Sequence, residues 1–111
     1  MKAYANKKPT NKDRFRWTNA WKTKRMEIRQ RDNHMCQVCI RKLYDYGSRQ
    51  YNHENIQVHH IDSLEVNFDK RLDNSNLITI CSHHHEMAEI GTITRDELLA
   101  IVSEQEYPPC Q

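Results

Sequence analysis

Leu77-Ile78-Thr79-Ile80-Cys81-Ser82-His83-His84-His85-Glu86-Met87-Ala88-Glu89-Ile90-Gly91 decides how this chain is read, because it passes from an apolar run through a cysteine into three consecutive histidines. Leu77 to Ile80 is short and apolar and predicts a strand. Ser82 to Ile90 is compatible with a helix, and Gly91 supplies its stop. On that helix Cys81 and His84, three residues apart, share a face. Upstream, Cys36-Gln-Val-Cys39 offers a second close pair, with 41 residues between the two pairs. Four soft donors in two pairs suit tetrahedral zinc, which binds thiolate and imidazole without a directional electronic preference. One CxxC pair is a weak signal, whereas two matched pairs are specific. His84 is favoured as the fourth ligand; His83 lies equally near in sequence, and Cys110 competes if the tail folds back. Such a zinc is structural, since four protein ligands leave no position open to water or substrate.

The rest of the composition fits a stapled domain. A chain of 111 residues has room for one compact unit. Hydrophobic residues make up 37% and charged residues 29%, so the apolar core is modest and a metal is a natural supplement. No apolar run is long enough to span a bilayer, and the N-terminal stretch lacks the apolar core of a secretion signal. A soluble, cytoplasmic protein is expected, with no membrane partner and with thiols kept reduced for metal binding. The net charge of +2 hides an asymmetry: residues 1 to 42 carry 13 Lys and Arg against 3 Asp and Glu, and the remainder 4 against 12. A polyanion suits the basic front, because Lys and Arg displace counterions condensed on phosphates; a solvated basic tail has the same composition.

Along the chain, residues 1 to 16 read as a flexible basic arm, residues 17 to 105 as the folded domain and residues 106 to 111 as a tail. Trp17 to Arg31 lacks Gly and Pro, and Trp17, Trp21 and Ile28 fall on one helical face that covers the core, with Arg25 interrupting it. A loop through Tyr44, Tyr46, Gly47 and Tyr51 follows. Residues 55 to 61 alternate Ile56, Val58, His60 with Gln57, His59, Ile61, which predicts a short strand. Residues 62 to 76 are rich in Asp and Asn and read as a surface loop. Thr94 and Glu97 form a capping-box signature for a last helix to about Glu104, with Ile93, Leu98, Ile101 and Val102 on its apolar side.

A second constellation, His59-His60, Asn76 and His85, lies between and beside the zinc pairs. Imidazoles bind divalent metals or act as general bases near neutral pH, and phosphodiester hydrolysis needs both functions. Each residue alone has a plain structural explanation; their order and spacing carry the reading.

Cys36-Gln-Val-Cys39, Val58-His59-His60-Ile61, Asn76-Leu77 and Cys81-Ser82-His83-His84-His85-Glu86, in this order, resemble the signature of HNH endonucleases, particularly small phage-type members. The resemblance implies an α+β fold: a small zinc-stabilised ββα-metal core with flanking N- and C-terminal helices. It implies a DNA endonuclease in which His60 is the general base, His59 and His85 bind a catalytic magnesium or manganese ion, and Asn76 fixes the loop and orients His60. Cys36, Cys39, Cys81 and His84 then hold zinc, and the products carry 5′-phosphate and 3′-hydroxyl ends. Phage members of the family also resemble partners of the DNA-packaging terminase, so terminase subunits are candidate partners beside DNA. An alternative is a zinc-stabilised nucleic-acid-binding module or assembly factor that does not cleave.

Two departures stand out. His59 replaces an Asp common in the family, which removes a negative ligand and favours a softer ion such as manganese or nickel over magnesium. His84 replaces a Cys, leaving an ordinary Cys3His site. Successive strand residues face opposite ways, so His59 and His60 sharing one site predicts a curl or bulge there. Glu89, one helical turn beyond His85, is within reach of the cation, although such a Glu more often faces solvent. Lys24, Arg25, Arg29, Arg41 and Lys42, with Lys70 and Arg71 in the loop, are the expected DNA contacts, alongside Arg14, Arg16 and Lys22. Phosphate contacts position a duplex without reading it, so low sequence specificity is expected.

Overall fold

The computed structural model describes residue 8 and residues 10–44 and 50–107. Tyr46, Gly47 and Cys110 lie outside the described residues, as do half of the expected arm and the tail beyond residue 107. The elements are α1 (Asn11–Arg16), α2 (Asn19–Arg31), α3 (Gln37–Ile40), β1 (Ile56–His60), β2 (Leu77–Cys81), α4 (Ser82–Glu89) and α5 (Arg95–Glu106). β1 and β2 form an antiparallel ribbon that runs straight into α4. This is the α+β, ββα arrangement expected from the sequence.

Local chemistry explains the boundaries. Gly91 takes φ +86°, a left-handed conformation that glycine adopts without steric cost, and the amides of Gly91 and Thr92 close onto the Ala88 and Met87 carbonyls. The Thr94 hydroxyl accepts from the Glu97 amide while the Glu97 carboxylate accepts from the Thr94 amide, so the predicted capping box starts α5.

The arm expected through residue 16 is shorter than expected. Thr10 and Asp13 form a second capping box, and the buried Phe15 docks α1 on α2 and on the loop before β2. α2 starts two residues later than predicted because Thr18 caps it. Trp17 therefore lies in the corner between the helices, 63% exposed, and does not share the core face with Trp21 and Ile28.

Two apolar clusters flank the ribbon. Val38, Ile78, Ile80, Ile93, Leu98, Ile101 and Val102 pack with the cysteines on one side, and Phe15, Trp21, Ile28, Leu64 and Leu77 on the other. β2 is buried at every position, although only β1 pairs with it. Its second edge is satisfied by side chains. Asp32, fully buried, accepts the Thr79 amide at 2.9 Å, and Arg31 donates to the Leu77 carbonyl at 2.7 Å. Arg31 also forks onto Asp32 at 2.9 and 3.1 Å and reaches Glu106 on α5 at 3.0 Å. An ion pair thus takes the place of a third strand.

Asp32→Ala leaves the Arg31 charge and the Thr79 amide without their carboxylate. The expected loss is about 3–5 kcal/mol of unfolding free energy, as for other broken buried pairs. Urea denaturation of the zinc-loaded protein measures it, and a loss below about 1 kcal/mol, the worth of an exposed pair, contradicts the role.

Candidate active site

The β2–α4 joint carries two adjacent donor sets. Cys81 ends the strand and His84 sits on the first turn of the helix, both buried; Cys36 caps the N-terminus of α3 and Cys39 lies within it. The His84 Nδ1 atom lies 3.4, 3.5 and 3.3 Å from the sulfurs of Cys36, Cys39 and Cys81, and the Cys39 and Cys81 sulfurs are 4.0 Å apart. Tetrahedral zinc, with bonds of about 2.3 Å to sulfur and about 2.0 Å to nitrogen, requires N–S edges of about 3.5 Å and S–S edges of about 3.8 Å. The cluster matches those edges. His83 is exposed and is not among the converging donors, which leaves His84 as the fourth donor. Burial pushes the Cys36 and Cys39 thiols up from their ordinary range, so thiolates would be favourable here only with a cation bound.

His85, the next residue, faces another way. Its ring meets the His59 ring at 4.9 Å, nearly perpendicular, and its Nε2 lies 3.2 Å from a Glu89 carboxylate oxygen. The donor atoms of His59, His85 and Glu89 all lie within 4.8 Å of one another. Opposed ligands on a cation bound at about 2.1 Å stand about 4.2 Å apart, so a small closure brings the three onto one ion. Burial, with His85 and His60 nearby, pushes the His59 pKa down to about 4, which keeps that imidazole neutral and able to ligate. Glu89 restores to the set the negative charge that His59 lacks. Sequence alone underweighted it, because i+4 spacing is equally that of a solvent-facing residue.

His60 points to the other side of β1. Its Nε2 is 3.0 Å from the Arg71 carbonyl, and a carbonyl only accepts, so Nε2 carries the proton and Nδ1 the lone pair. Burial lowers the His60 pKa, opposed by the bond to Arg71 and reinforced by Arg16. Asn76, 2% exposed, does not touch His60. Its Oδ1 accepts from the Asp62 amide at 2.7 Å, and its Nδ2 donates to the carbonyls of Asp62 at 3.0 Å and Lys70 at 3.3 Å. It therefore ties both ends of the loop that presents the Arg71 carbonyl. That loop is less superficial than its composition suggests: it buries Leu64 and Asn76 and contains two short 3-10 turns, Phe68–Lys70 and Asn74–Asn76.

The expected bulge is absent. Pairing runs unbroken from Ile56–Cys81 to His60–Leu77. His59 and His60 instead share a cleft of about 490 Å³ lined by four consecutive β1 residues, Gln57 to His60. A cleft along the open edge of a strand meets both faces, so no distortion is needed.

Lys12, Arg16, Arg25 and Arg29 also line that cleft. Of the expected DNA contacts, Arg16, Arg25 and Arg29 thus line the cleft, and Lys12 of α1 joins them. Arg41 and Lys42 do not line it; Arg41 is bonded to Glu104, Gln105 and Gln37 against α5. Lys24 is held by Glu27 and Asn74, and Lys70 by Asp62. The Arg71 guanidinium lies over the Phe68 ring, and it is the Arg71 carbonyl oxygen that meets His60.

A two-stranded ribbon entering a helix, with a thiolate-imidazole cluster on one side and a histidine cleft on the other, is a ββα-metal nuclease core. Residues 36–89 match the family model described as HNH endonuclease. Among solved structures, the chain is similar to the HNH endonuclease of the deep-sea thermophilic bacteriophage GVE2, whose crystal structure was determined with manganese ion. The two share 29% identity and a TM-score of 0.56 over 69% of this chain and 78% of that one. A comparison with curated proteins found no match. Segment 36–89 is an HNH endonuclease module, and the chain as a whole is similar to a phage HNH endonuclease.

The cluster geometry separates the adjacent histidines. His84→Ala is expected to lower bound zinc well below one equivalent, and His83→Ala to retain it, by elemental analysis of purified protein. Equal zinc in both variants removes His84 from the site.

Proposed function

We propose that the chain hydrolyses phosphodiester bonds in DNA with His60 as general base, with a divalent cation held by His59, His85 and Glu89, and with zinc held by Cys36, Cys39, Cys81 and His84. The bond from His60 Nε2–H to the Arg71 carbonyl carries the reading. It leaves the Nδ1 lone pair as the basic atom, and the His60 ring lines the same cleft as the three cation donors.

His60 Nδ1 takes a proton from the attacking water as its oxygen bonds to phosphorus and the bond to the 3′ oxygen breaks. Burial keeps His60 neutral and able to accept that proton. When bound, the cation polarises the phosphate and stabilises the departing oxygen. Arg16, Arg25 and Arg29 contact phosphates from the opposite wall, which positions a duplex without reading its sequence. Asn76 is a positioning residue that acts through the loop and the Arg71 carbonyl. Two imidazoles with one carboxylate suit manganese or nickel better than magnesium, which prefers oxygen donors, and the GVE2 endonuclease was crystallised with manganese. A phage source, a host-cytoplasmic location and a link to the packaging terminase rest on the family resemblance. No helix among the described residues is long and apolar enough to cross a membrane.

Nicking of supercoiled plasmid with manganese or magnesium tests the base. His60→Ala is expected to cut about 10²–10⁴-fold more slowly while binding DNA normally. Equal cutting by both proteins contradicts the assignment, and no cutting by either favours a binding module. Asn76→Ala is expected to lower turnover more than DNA affinity; a matching loss of both points to a general folding role.

A further inference from the structure

The hydrogen bond through Nε2 fixes the tautomer of His60 only while the ring stays aligned with the Arg71 carbonyl, one bond does not hold that plane, and a base serves a bound water only when its lone pair is aimed. The neighbours of that ring come from the start of the chain. The Trp21 indole stacks on it, with centroids 4.8 Å apart and planes 29° from parallel. Phe15 meets it edge-on at 5.9 Å and packs in turn on Trp21 at 5.2 Å. Both aromatic residues are buried.

The α1–α2 corner is constructed around this pair. The Thr18 hydroxyl donates to the Phe15 carbonyl at 2.7 Å and accepts from the Trp21 amide at 3.1 Å, so one side chain sets the spacing of the two rings. Phe15 also meets Phe68 of the loop at 5.9 Å, and Lys12 reaches Glu65 of the same loop at 2.7 Å. The corner therefore grips the loop that supplies the Arg71 carbonyl. Both His60 contacts, ring stack and hydrogen bond, are referred to one rigid frame.

We propose that Phe15 and Trp21, which precede the matched segment 36–89, are positioning residues that hold the plane of His60 and aim Nδ1 into the cleft. The proposal rests on His60 being the base. Stacking restricts rotation of the imidazole about its Cβ–Cγ bond, and the edge contact from Phe15 blocks tilting of the stack.

The test uses full-length, zinc-loaded protein as Trp21→Leu, Trp21→Phe, Phe15→Leu and His60→Ala. Plasmid cleavage gives kcat and KM, elemental analysis gives zinc content, and long-range proton–nitrogen NMR correlations give the His60 tautomer. Trp21→Leu is expected to lose about 10- to 100-fold in kcat with KM within about twofold and zinc unchanged. Its His60 signals are expected to show mixed tautomers, whereas Trp21→Phe, which keeps a stacking face, restores most of kcat and the single Nε2–H form. Wild-type kcat and an unaltered His60 spectrum in Trp21→Leu overturn the proposal, as does a loss of kcat that only follows loss of zinc. If Trp21→Leu does not fold, Phe15→Leu decides: a smaller kcat loss with mixed tautomers supports the proposal, and wild-type behaviour overturns it. Undiminished cleavage by His60→Ala instead contradicts the base assignment itself.

Discussion

Three cysteine sulfurs converging on one nitrogen of His84 fix the rotation of α4, and most of the site depends on that rotation. A helix turns by about 100° per residue, so turning His84 into the sulfur cluster aims His85 toward the cleft, with Glu89 one turn further on. The same cluster joins α3 to the β2–α4 joint in a domain whose apolar core is divided into two small groups. Metal ligation in such a domain is folding free energy, and here it also orients the second donor set.

His60, the proposed base, is held independently of that joint. Asn76 closes the loop between the strands, the loop offers the Arg71 carbonyl, and Asp62 in the loop is forked by Arg95 at 2.6 and 3.1 Å, which ties the loop to α5. The Arg95 guanidinium holds the Asp62 carboxyl below the usual carboxylate range, so this tie is present at neutral pH. Charge is sorted along the same lines. Basic residues of α1 and α2 face the cleft, while Glu104 and Glu106 of α5 are occupied by Arg41 and Arg31 behind it. Cationic side chains of α1 and α2 and the histidines of β1 and α4 thus line one cleft.

Both strands, the helix stop at Gly91 and the Thr94 capping box were legible because each rests on local chemistry within a few residues. The four sulfur-cluster donors were legible through spacing, and the choice of His84 over His83 needed only the direction of one helix face. What sequence did not show depends on tertiary neighbours. Asp32 looks like any charged residue at a helix end until β2 is seen to lack a second partner strand. Phe15 sits in a polar stretch that reads as an arm, and one buried ring is too little periodicity to predict a six-residue helix. Arg41 and Lys42 follow the CxxC pair closely in sequence, yet the turn after α3 carries Arg41 to the α5 side. The expected bulge failed because alternation along a strand says nothing about where a cleft crosses its edge.

On the proposed reading, adjacent residues on α4, His84 and His85, serve two different cations. Crystals of the protein prepared with zinc and manganese, measured on either side of each metal's absorption edge, test it most directly. The account predicts zinc anomalous density among Cys36, Cys39, Cys81 and His84, and manganese density among His59, His85 and Glu89. Manganese in the cysteine cluster, or no metal density beside His85, contradicts it.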